Sequence, residues 1–146
     1  MFNSILMVCA GNICRSPTAE YIMKKILMEN GKNISVSSAG LVGLYDHPIE
    51  RNALDLLNLN SIDASHHKGR KLNSDLVNNN EILLVMENRQ IEDLCSQYPH
   101  ARGKTFLLGK WNDGQEIPDP YRQSKEAFEY VYKLIEIGCN AWNQHL

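Results

Sequence analysis

The chain has 146 residues, of which 43% are hydrophobic and 22% charged, and its formal net charge is −2 at pH 7. This length fits a single domain over residues 1–146, which can bury a core without disulfides or metal ions. The small net charge gives no electrostatic basis for binding nucleic acid or an anionic membrane, so any anion specificity is expected to be local.

The apolar N-terminal segment, Phe2 to Cys9, is too short for a signal peptide and lacks a basic leader. No apolar run approaches a membrane span, so we expect a cytoplasmic protein without direct membrane insertion. Cysteines are normally reduced in that compartment, which predicts four free thiols at Cys9, Cys14, Cys95 and Cys139. Cys9 and Cys14 have no second pair of ligands nearby, so a structural zinc site is not expected.

The first predicted elements are a strand and a helix. The continuous apolar run Ile5–Val8 is typical of a strand buried on both faces. The helix that follows is predicted to have Ser16 as its N-cap and Pro17 at its first position, and to end at Asn30-Gly31. Glu20 is expected to lie in the first turn, where a carboxylate suits the helix dipole.

Three further strands and three further helices are predicted after residue 31. The strands are Ile34–Ser38, Glu81–Met86 and Thr105–Leu108, and the helices are centred on residues 49–57, 91–98 and 128–142. Residues 109–122 are expected to be irregular. This alternation predicts a three-layer, doubly wound α/β fold in which helices cover both faces of a four-stranded parallel sheet. Ligands of such sheets bind beyond the carboxyl ends of the strands, which is where Cys9 lies.

The loop after the first strand reads CAGNICRS, residues 9–16. Backbone N–H groups in a tight strand-to-helix loop form an anion-binding nest, and the helix N-terminus adds partial positive charge. Arg15 offers a bidentate fork that matches two phosphate oxygens, and Gly11 is expected to relieve the backbone. The loop lacks Gly-Lys-Ser/Thr and is not of the nucleotide-binding type. We therefore predict a phosphate-binding loop formed by Ala10, Gly11, Asn12, Ile13, Cys14 and Ser16.

A cysteine at the base of a phosphate-binding loop indicates nucleophilic chemistry. Thiols in positively polarised surroundings ionise more readily than free cysteine, so Cys9 is predicted to attack phosphorus and form a phosphocysteine. The alternative is a buried core cysteine, which the arginine and Ser-Pro at the strand–helix junction disfavour. Asp119, fixed between two prolines, is the candidate acid that protonates the leaving group.

With these elements identified, the chain resembles the low-molecular-weight protein tyrosine phosphatases over nearly its whole length. The matching motifs are CAGNICRSPTAE (9–20), SSAG (37–40), HKGR (67–70), EILLVMENR (81–89) and IPDPYR (117–122). The motifs PHARGKTFLLGKWND and EIPDPYR suggest the bacterial branch associated with tyrosine autokinases of exopolysaccharide and capsule export.

This resemblance implies a role for each matching residue. Cys9 would be the nucleophile, Arg15 the phosphate clamp, and Asp119 the general acid and then the base. Ser16 would hydrogen-bond the thiolate and Asn12 would hold the loop, with Ser38 and His67 in support. The predicted substrate cleft comprises Leu41, Leu44, Tyr45 and Tyr121.

The resemblance also implies that no metal or cofactor is required. The partner would be a phosphotyrosine protein, namely a membrane-bound tyrosine autokinase, and inorganic phosphate would be the product.

Several alternatives stay open at the level of sequence. Arsenate reductases share this loop but relay a disulfide through two further cysteines near each other, and Cys95 and Cys139 are far apart in sequence. A cysteine phosphocarrier or a silent phosphotyrosine-binding module would not need both Arg15 and Asp119. Cys14 fits either a small core residue or a partner for a reversible disulfide with Cys9.

Overall fold

The computed structural model describes residues 1–146 and is built on a parallel sheet with the strand order β2-β1-β3-β4. Helices cover both faces of this sheet, which confirms the predicted fold class. The strands are β1 (Ser4–Cys9), β2 (Ser35–Gly40), β3 (Ile82–Val85) and β4 (Thr105–Leu107).

Two helical layers enclose the sheet. Helices α1, α2 and α5 pack on one face, and α3, α4 and a short 3-10 helix pack on the other. The bounds are α1 (Arg15–Glu29), α2 (Arg51–Leu59), α3 (Ser74–Asn79), α4 (Asn88–Gln97), the 3-10 helix (Pro99–Lys104) and α5 (Lys125–Asn143). The sequence did not predict α3 or the 3-10 helix. Each has only six residues, too few for an apolar period to show.

The central strand β1 sets the position of the site. Ile5 and Met7 face the larger core cluster, whereas Leu6 and Val8 face the smaller one, and all four are fully buried. Burying a side chain of this size contributes roughly 1.5–3 kcal/mol, so the strand is held firmly on both faces. Cys9 is therefore fixed at the carboxyl end of a rigid strand.

The start of α1 differs from the sequence prediction. The helix begins at Arg15, its N-cap is Cys14, and no side chain caps it. The predictions of Ser16 as N-cap and of Pro17 at the first helical position are therefore wrong, because these are the second and third helical residues. The hydroxyl of Ser16 points instead at the sulfur of Cys9.

The expected dipole role of Glu20 is also wrong. Glu20 lies beyond the first turn of α1 and is buried. Its carboxylate accepts hydrogen bonds from Ser38 and Lys24 rather than facing the helix N-terminus.

Candidate active site

The loop between β1 and α1 turns its carbonyl groups outward. The carbonyls of residues 9–14 all accept hydrogen bonds: those of Cys9, Ala10 and Gly11 from backbone N–H groups of residues 41–44, Asn12 from His67, Ile13 from Glu50, and Cys14 from Thr18. None of the N–H groups of residues 10–14 has an acceptor within the protein. The loop therefore presents a set of free backbone donors, which is the arrangement of an anion-binding nest.

The left-handed backbone of the loop lies at Asn12, whose φ is 60°. Asparagine tolerates this region better than most residues. Gly11 is not in the left-handed region, so the backbone freedom expected of it is not used. Gly40 is the glycine that the loop requires, since a Cβ there would lie 2.5 Å from the carbonyl oxygen of Ala10.

Cys9 lies at the base of this loop with only 3% of its surface exposed. Its Sγ is 3.0 Å from Ser16 Oγ and 3.4 Å from the backbone nitrogen of Ser16, whose N–H donates to it. Both groups of Ser16 are placed to donate to the sulfur when it carries negative charge. The sulfur is thus held as a nucleophile at the entrance of α1.

Asn12 links the loop to its surroundings. Its Nδ2 donates to Ser16 Oγ and to Ser38 Oγ, both at 2.9 Å, and its Oδ1 accepts from the backbone N–H of Arg70 at 3.0 Å. His67 is buried, and its Nε2 lies 2.7 Å from the carbonyl oxygen of Asn12. Since a carbonyl only accepts, this nitrogen carries the proton. Both residues implied as support, Ser38 and His67, therefore contact Asn12 directly.

Arg15 is 2% exposed and has two acceptors. Its Nη1 donates to Glu87 Oε2 at 2.7 Å and to the carbonyl oxygen of Ile117 at 2.9 Å. Glu87 is fixed in turn by the N-terminus of α4, where it forms a capping box with Gln90. The guanidinium is therefore oriented before any anion binds.

Asp119 lies at the mouth of the site, with 49% of its side chain exposed. Its Oδ2 is 3.9 Å from Arg15 Nη2, and its Oδ1 accepts from the backbone N–H of Tyr121 at 3.0 Å. The same carboxyl group thus faces both the arginine and solvent, which suits a group that exchanges protons.

These residues surround one cavity of about 130 Å³. Of the four residues predicted for the substrate cleft, Leu44 and Tyr121 line it. Leu41 packs against the smaller core cluster, and Tyr45 is 84% exposed, so neither of these two is among the lining residues. The complete lining is Cys9, Ala10, Gly11, Ile13, Cys14, Arg15, Leu44, Asp119 and Tyr121.

Cys14 also lines the cavity, but its environment differs from that of Cys9. Burial raises the pKa of the Cys14 thiol well above its ordinary value, and the negative charges of Cys9, Asp119 and Glu50 raise it further. Arg15 opposes this shift. Cys14 is therefore a neutral thiol near pH 7, and all four cysteines are free.

Several residues of the site were not predicted from the sequence. Glu87 binds Arg15 from 72 positions away, Arg70 anchors Asn12, and Glu20 binds Ser38. Glu87 and Arg70 lie in motifs that were recognised, EILLVMENR and HKGR, but periodicity carries no information on such long-range polar contacts.

The structure contains no group of three His, Cys, Asp or Glu side chains that could hold a metal ion. None of its helices has both the length and the apolar character needed to span a membrane.

Comparison with known proteins identifies the group to which this site belongs. Residues 4–146 match the family described as low molecular weight phosphotyrosine protein phosphatase. The low molecular weight protein-tyrosine-phosphatase Etp of Escherichia coli strain K12 is 42% identical over 145 residues, covering 99% of this chain and 95% of Etp. The phosphatase Wzb of Salmonella typhimurium strain LT2 is 40% identical over 146 residues, covering 100% of this chain and 95% of Wzb.

A solved structure shows the same likeness. Wzb of Vibrio vulnificus, in complex with benzylphosphonate, superposes with a TM-score of 0.95 at 42% identity, and the alignment covers 100% of both chains.

Proposed function

Because the chain belongs to the low molecular weight phosphotyrosine protein phosphatase family and is a protein tyrosine phosphatase, we propose that it hydrolyses phosphotyrosine through a phosphocysteine formed on Cys9. The observation that carries this proposal is the cavity itself. A buried cysteine, a pre-oriented arginine and a half-exposed aspartate line one cavity at the carboxyl end of the sheet.

In the first step, the Cys9 thiolate attacks phosphorus in line with the bond to the tyrosine oxygen. As that P–O bond breaks, Asp119 gives its proton to the departing oxygen, so that tyrosine leaves as a neutral phenol. The free N–H groups of residues 10–14 and the guanidinium of Arg15 stabilise the charge on the three equatorial oxygens.

In the second step, the ionised Asp119 takes a proton from a water molecule, whose oxygen attacks phosphorus. The P–S bond breaks, the electron pair returns to Cys9, and inorganic phosphate leaves. The donors from Ser16 receive the thiolate as it re-forms. The cycle thus restores both groups and needs no oxidant or reductant.

Two other functions are disfavoured, one by the positions of the remaining cysteines and the other by the exposure of Asp119. Cys139 belongs to the larger core cluster and Cys95 to the smaller one, on opposite faces of the sheet. A disulfide relay of the arsenate-reductase type needs cysteines that can meet. A phosphocarrier must keep its phosphocysteine from water, whereas Asp119 is half exposed beside the cavity.

The proposed substrate is a phosphotyrosine protein, namely a membrane-bound tyrosine autokinase that controls polysaccharide export. Support comes from the 40–42% identity with phosphatases named Wzb and Etp, together with the resemblance to the branch associated with such kinases. Benzylphosphonate, the ligand of the similar Vibrio vulnificus Wzb, carries an aromatic ring one carbon from phosphorus, as suits an aryl phosphate pocket. The proposed compartment is the cytoplasm, where a free nucleophilic thiol stays reduced.

The test is an assay on p-nitrophenyl phosphate and a phosphotyrosine peptide in EDTA, comparing the wild type with Cys9→Ser and Cys95→Ser. We expect Cys9→Ser to lose turnover and still bind inorganic phosphate, because the loop donors and Arg15 stay in place. Cys95→Ser is the matched control, since Cys95 is buried in the smaller cluster away from the cavity. A folded wild-type chain without turnover would contradict the proposed function.

The partner is tested separately with the phosphorylated cytoplasmic part of the tyrosine autokinase from the same organism. We expect the wild type to release phosphate from it and Cys9→Ser to form a stable complex with it. A wild type that hydrolyses the peptide but not this kinase would contradict the proposed partner and leave the phosphatase activity standing.

A further inference from the structure

Arg122 is an exposed arginine whose guanidinium has no acceptor within the protein. Each of the other five arginines in the chain has one. The acceptors are Glu87 for Arg15 and Arg89, Asp55 for Arg51, Glu92 for Arg102, and the carbonyl oxygen of Ser38 for Arg70. The charge of Arg122 is therefore free to meet an anion from outside the protein.

The ring of Tyr121 holds this charge beside the cavity. Tyr121 lines the cavity, and its backbone N–H donates to Asp119 Oδ1 at 3.0 Å, so its position is tied to that of the acid. The guanidinium carbon of Arg122 lies over the same ring, 5.3 Å from its centroid. Arg122 itself is not a lining residue. The free cation thus lies at the rim, next to the aromatic wall of the cavity.

The backbone of Arg122 is in the left-handed region, with a φ of 61°. Arg122 is the third residue of a turn that is closed by a hydrogen bond of 2.9 Å from the N–H of Gln123 to the carbonyl oxygen of Pro120. Glycine and asparagine are preferred where a turn needs a positive φ, because other side chains are strained there. The turn by itself gives no reason for an arginine, whereas an anionic ligand at the rim would.

A guanidinium recognises carboxylate and phosphoryl oxygens through paired N–H donors. We propose that Arg122 determines substrate specificity by binding an anionic side chain one or two residues from the phosphotyrosine. Two residues of extended chain span at most roughly 7 Å, which suffices to reach a cation beside the wall of the cavity. The anion is the carboxylate of an acidic residue or the phosphoryl group of a second phosphotyrosine. This inference rests on the proposed function, because it needs a phosphotyrosine in the cavity.

The contact is expected to act on the first step of the reaction only. The peptide leaves as its tyrosine is released from phosphorus, so Arg122 no longer contacts it when the phosphocysteine is hydrolysed. The effect therefore belongs in kcat/KM, which covers the steps up to that release. The net charge of −2 gives no general attraction for acidic peptides, so a preference for them would need a local cation.

The test compares kcat/KM on matched peptides. One has phosphotyrosine flanked by alanines. The others carry either aspartate or phosphonomethylphenylalanine, a phosphotyrosine mimic that is not hydrolysed, at single positions within two residues on either side. We expect the wild type to prefer at least one anionic peptide by roughly three- to tenfold. Arg122→Gln should lose this preference, and Arg122→Lys should retain part of it because it keeps the charge.

Arg102→Gln is the matched control. It removes the same charge from an exposed arginine that is paired with Glu92 and lies in the 3-10 helix before β4, at the end of the strand away from the cavity. This variant should keep the preference of the wild type. Raising NaCl from 50 to 500 mM should weaken the preference in the wild type and in Arg102→Gln, because salt screens exposed charges.

A wild type that does not distinguish the peptides, or an Arg122→Gln variant that keeps the preference, would overturn this inference and leave the proposed function standing. Equal losses of kcat/KM on neutral and anionic peptides in Arg122→Gln would also overturn it, since the side chain would then only brace the turn. A preference for the phosphonate peptide alone would identify the anion as a second phosphotyrosine, and a preference for both would identify it as any acidic side chain. A wild type without turnover on the alanine-flanked peptide would overturn the proposed function, and this inference with it.

Discussion

Asp119 is the residue whose substitution best separates binding from chemistry. Its carboxyl group faces the cavity mouth, while the anion-binding donors belong to other residues. We expect Asp119→Ala to lower kcat/KM, which reports only the first step, by roughly 10²–10⁴-fold on phenyl phosphate, whose leaving group needs a proton. The loss should be much smaller on p-nitrophenyl phosphate, whose phenolate leaves readily. Steady-state kinetics over a series of aryl phosphates measures this dependence.

The matched control for Asp119 is Asp113→Asn, in the exposed turn before the acid loop. Asparagine accepts the left-handed φ of 54° at that position, so the turn is retained. Its rates should follow those of the wild type for every leaving group. An equal loss of kcat/KM for good and poor leaving groups in Asp119→Ala would contradict the acid role.

Cys14 and Cys9 line the same cavity but are expected to react differently. Burial and neighbouring negative charge raise the pKa of the Cys14 thiol, so little of it is ionised near neutral pH. In a Cys9→Ser variant at pH 7.5, we expect iodoacetamide to modify Cys14 at least roughly tenfold more slowly than in urea. Mass spectrometry of the native and unfolded protein measures this ratio. Rapid native modification of Cys14 would show that the thiol is ionised and accessible.

Hydrogen bonds hold the phosphate-binding loop in a conformation that places one residue in the left-handed region. Asn12 has a φ of 60° and makes three side-chain hydrogen bonds. Asn12→Ala loses these bonds and adds backbone strain, whereas Asn12→Gly loses the same bonds without the strain. We expect the alanine variant to be less stable than the glycine variant by about 1 kcal/mol in urea denaturation.

Both Asn12 variants should lose most of their turnover, because neither can orient Ser16. Equal stability of the two variants would mean that the loop relaxes out of the left-handed region. Turnover that survives in the glycine variant would mean that the hydrogen bonds of Asn12 are not needed once the backbone is free.

The elements that the sequence predicted correctly are those with long apolar patterns. The run Ile5–Val8 is continuous because its strand is buried on both faces. The apolar residues of α5 recur at helical spacing because one face of that helix is buried. The predicted start of α1 was wrong because a serine followed by a proline is typical of helix starts, and the sequence does not show which tertiary contacts these residues make. Here the hydroxyl of Ser16 is drawn to the sulfur of Cys9, seven residues earlier, and a tertiary contact overrides a local preference.

The site is assembled from segments that are distant in the sequence. Arg15 binds Glu87, 72 residues away, and Asn12 binds Ser38 and His67 at separations of 26 and 55 residues. The motif around Cys9 suggested the nucleophile and the clamp, since both lie in one loop. Glu20 and Glu87 could not be assigned from sequence, because a glutamate on a helix is usually a solvated residue and only the packed sheet brings these two to their partners.

The packed core also determines how stability depends on pH. Burial raises the pKa of the Cys14 and Cys139 thiols above the ordinary value of 9.0, and it raises the pKa of Tyr132 to about 12. Groups with a raised native-state pKa contribute stability that is fully present below their unfolded-state pKa and is lost as pH rises toward the native-state value. The free energy of unfolding is therefore expected to fall above about pH 9, by about 1.4 kcal/mol per pH unit for each buried thiol.

Cys139→Ala tests this pH dependence directly. Cys139 is fully buried in the larger core cluster, so the substitution lowers stability at all pH values but removes one titrating thiol. Denaturation in urea with a reducing agent, from pH 8 to 10.5, should give a shallower decline than in the wild type. Val131→Ala, on the same helix and without a titrating group, should lower the curve in parallel. A curve for Cys139→Ala that is parallel to the wild type would mean that the native protein ionises this thiol as readily as the unfolded chain, and that burial in the α1–α5 interface does not hold its proton.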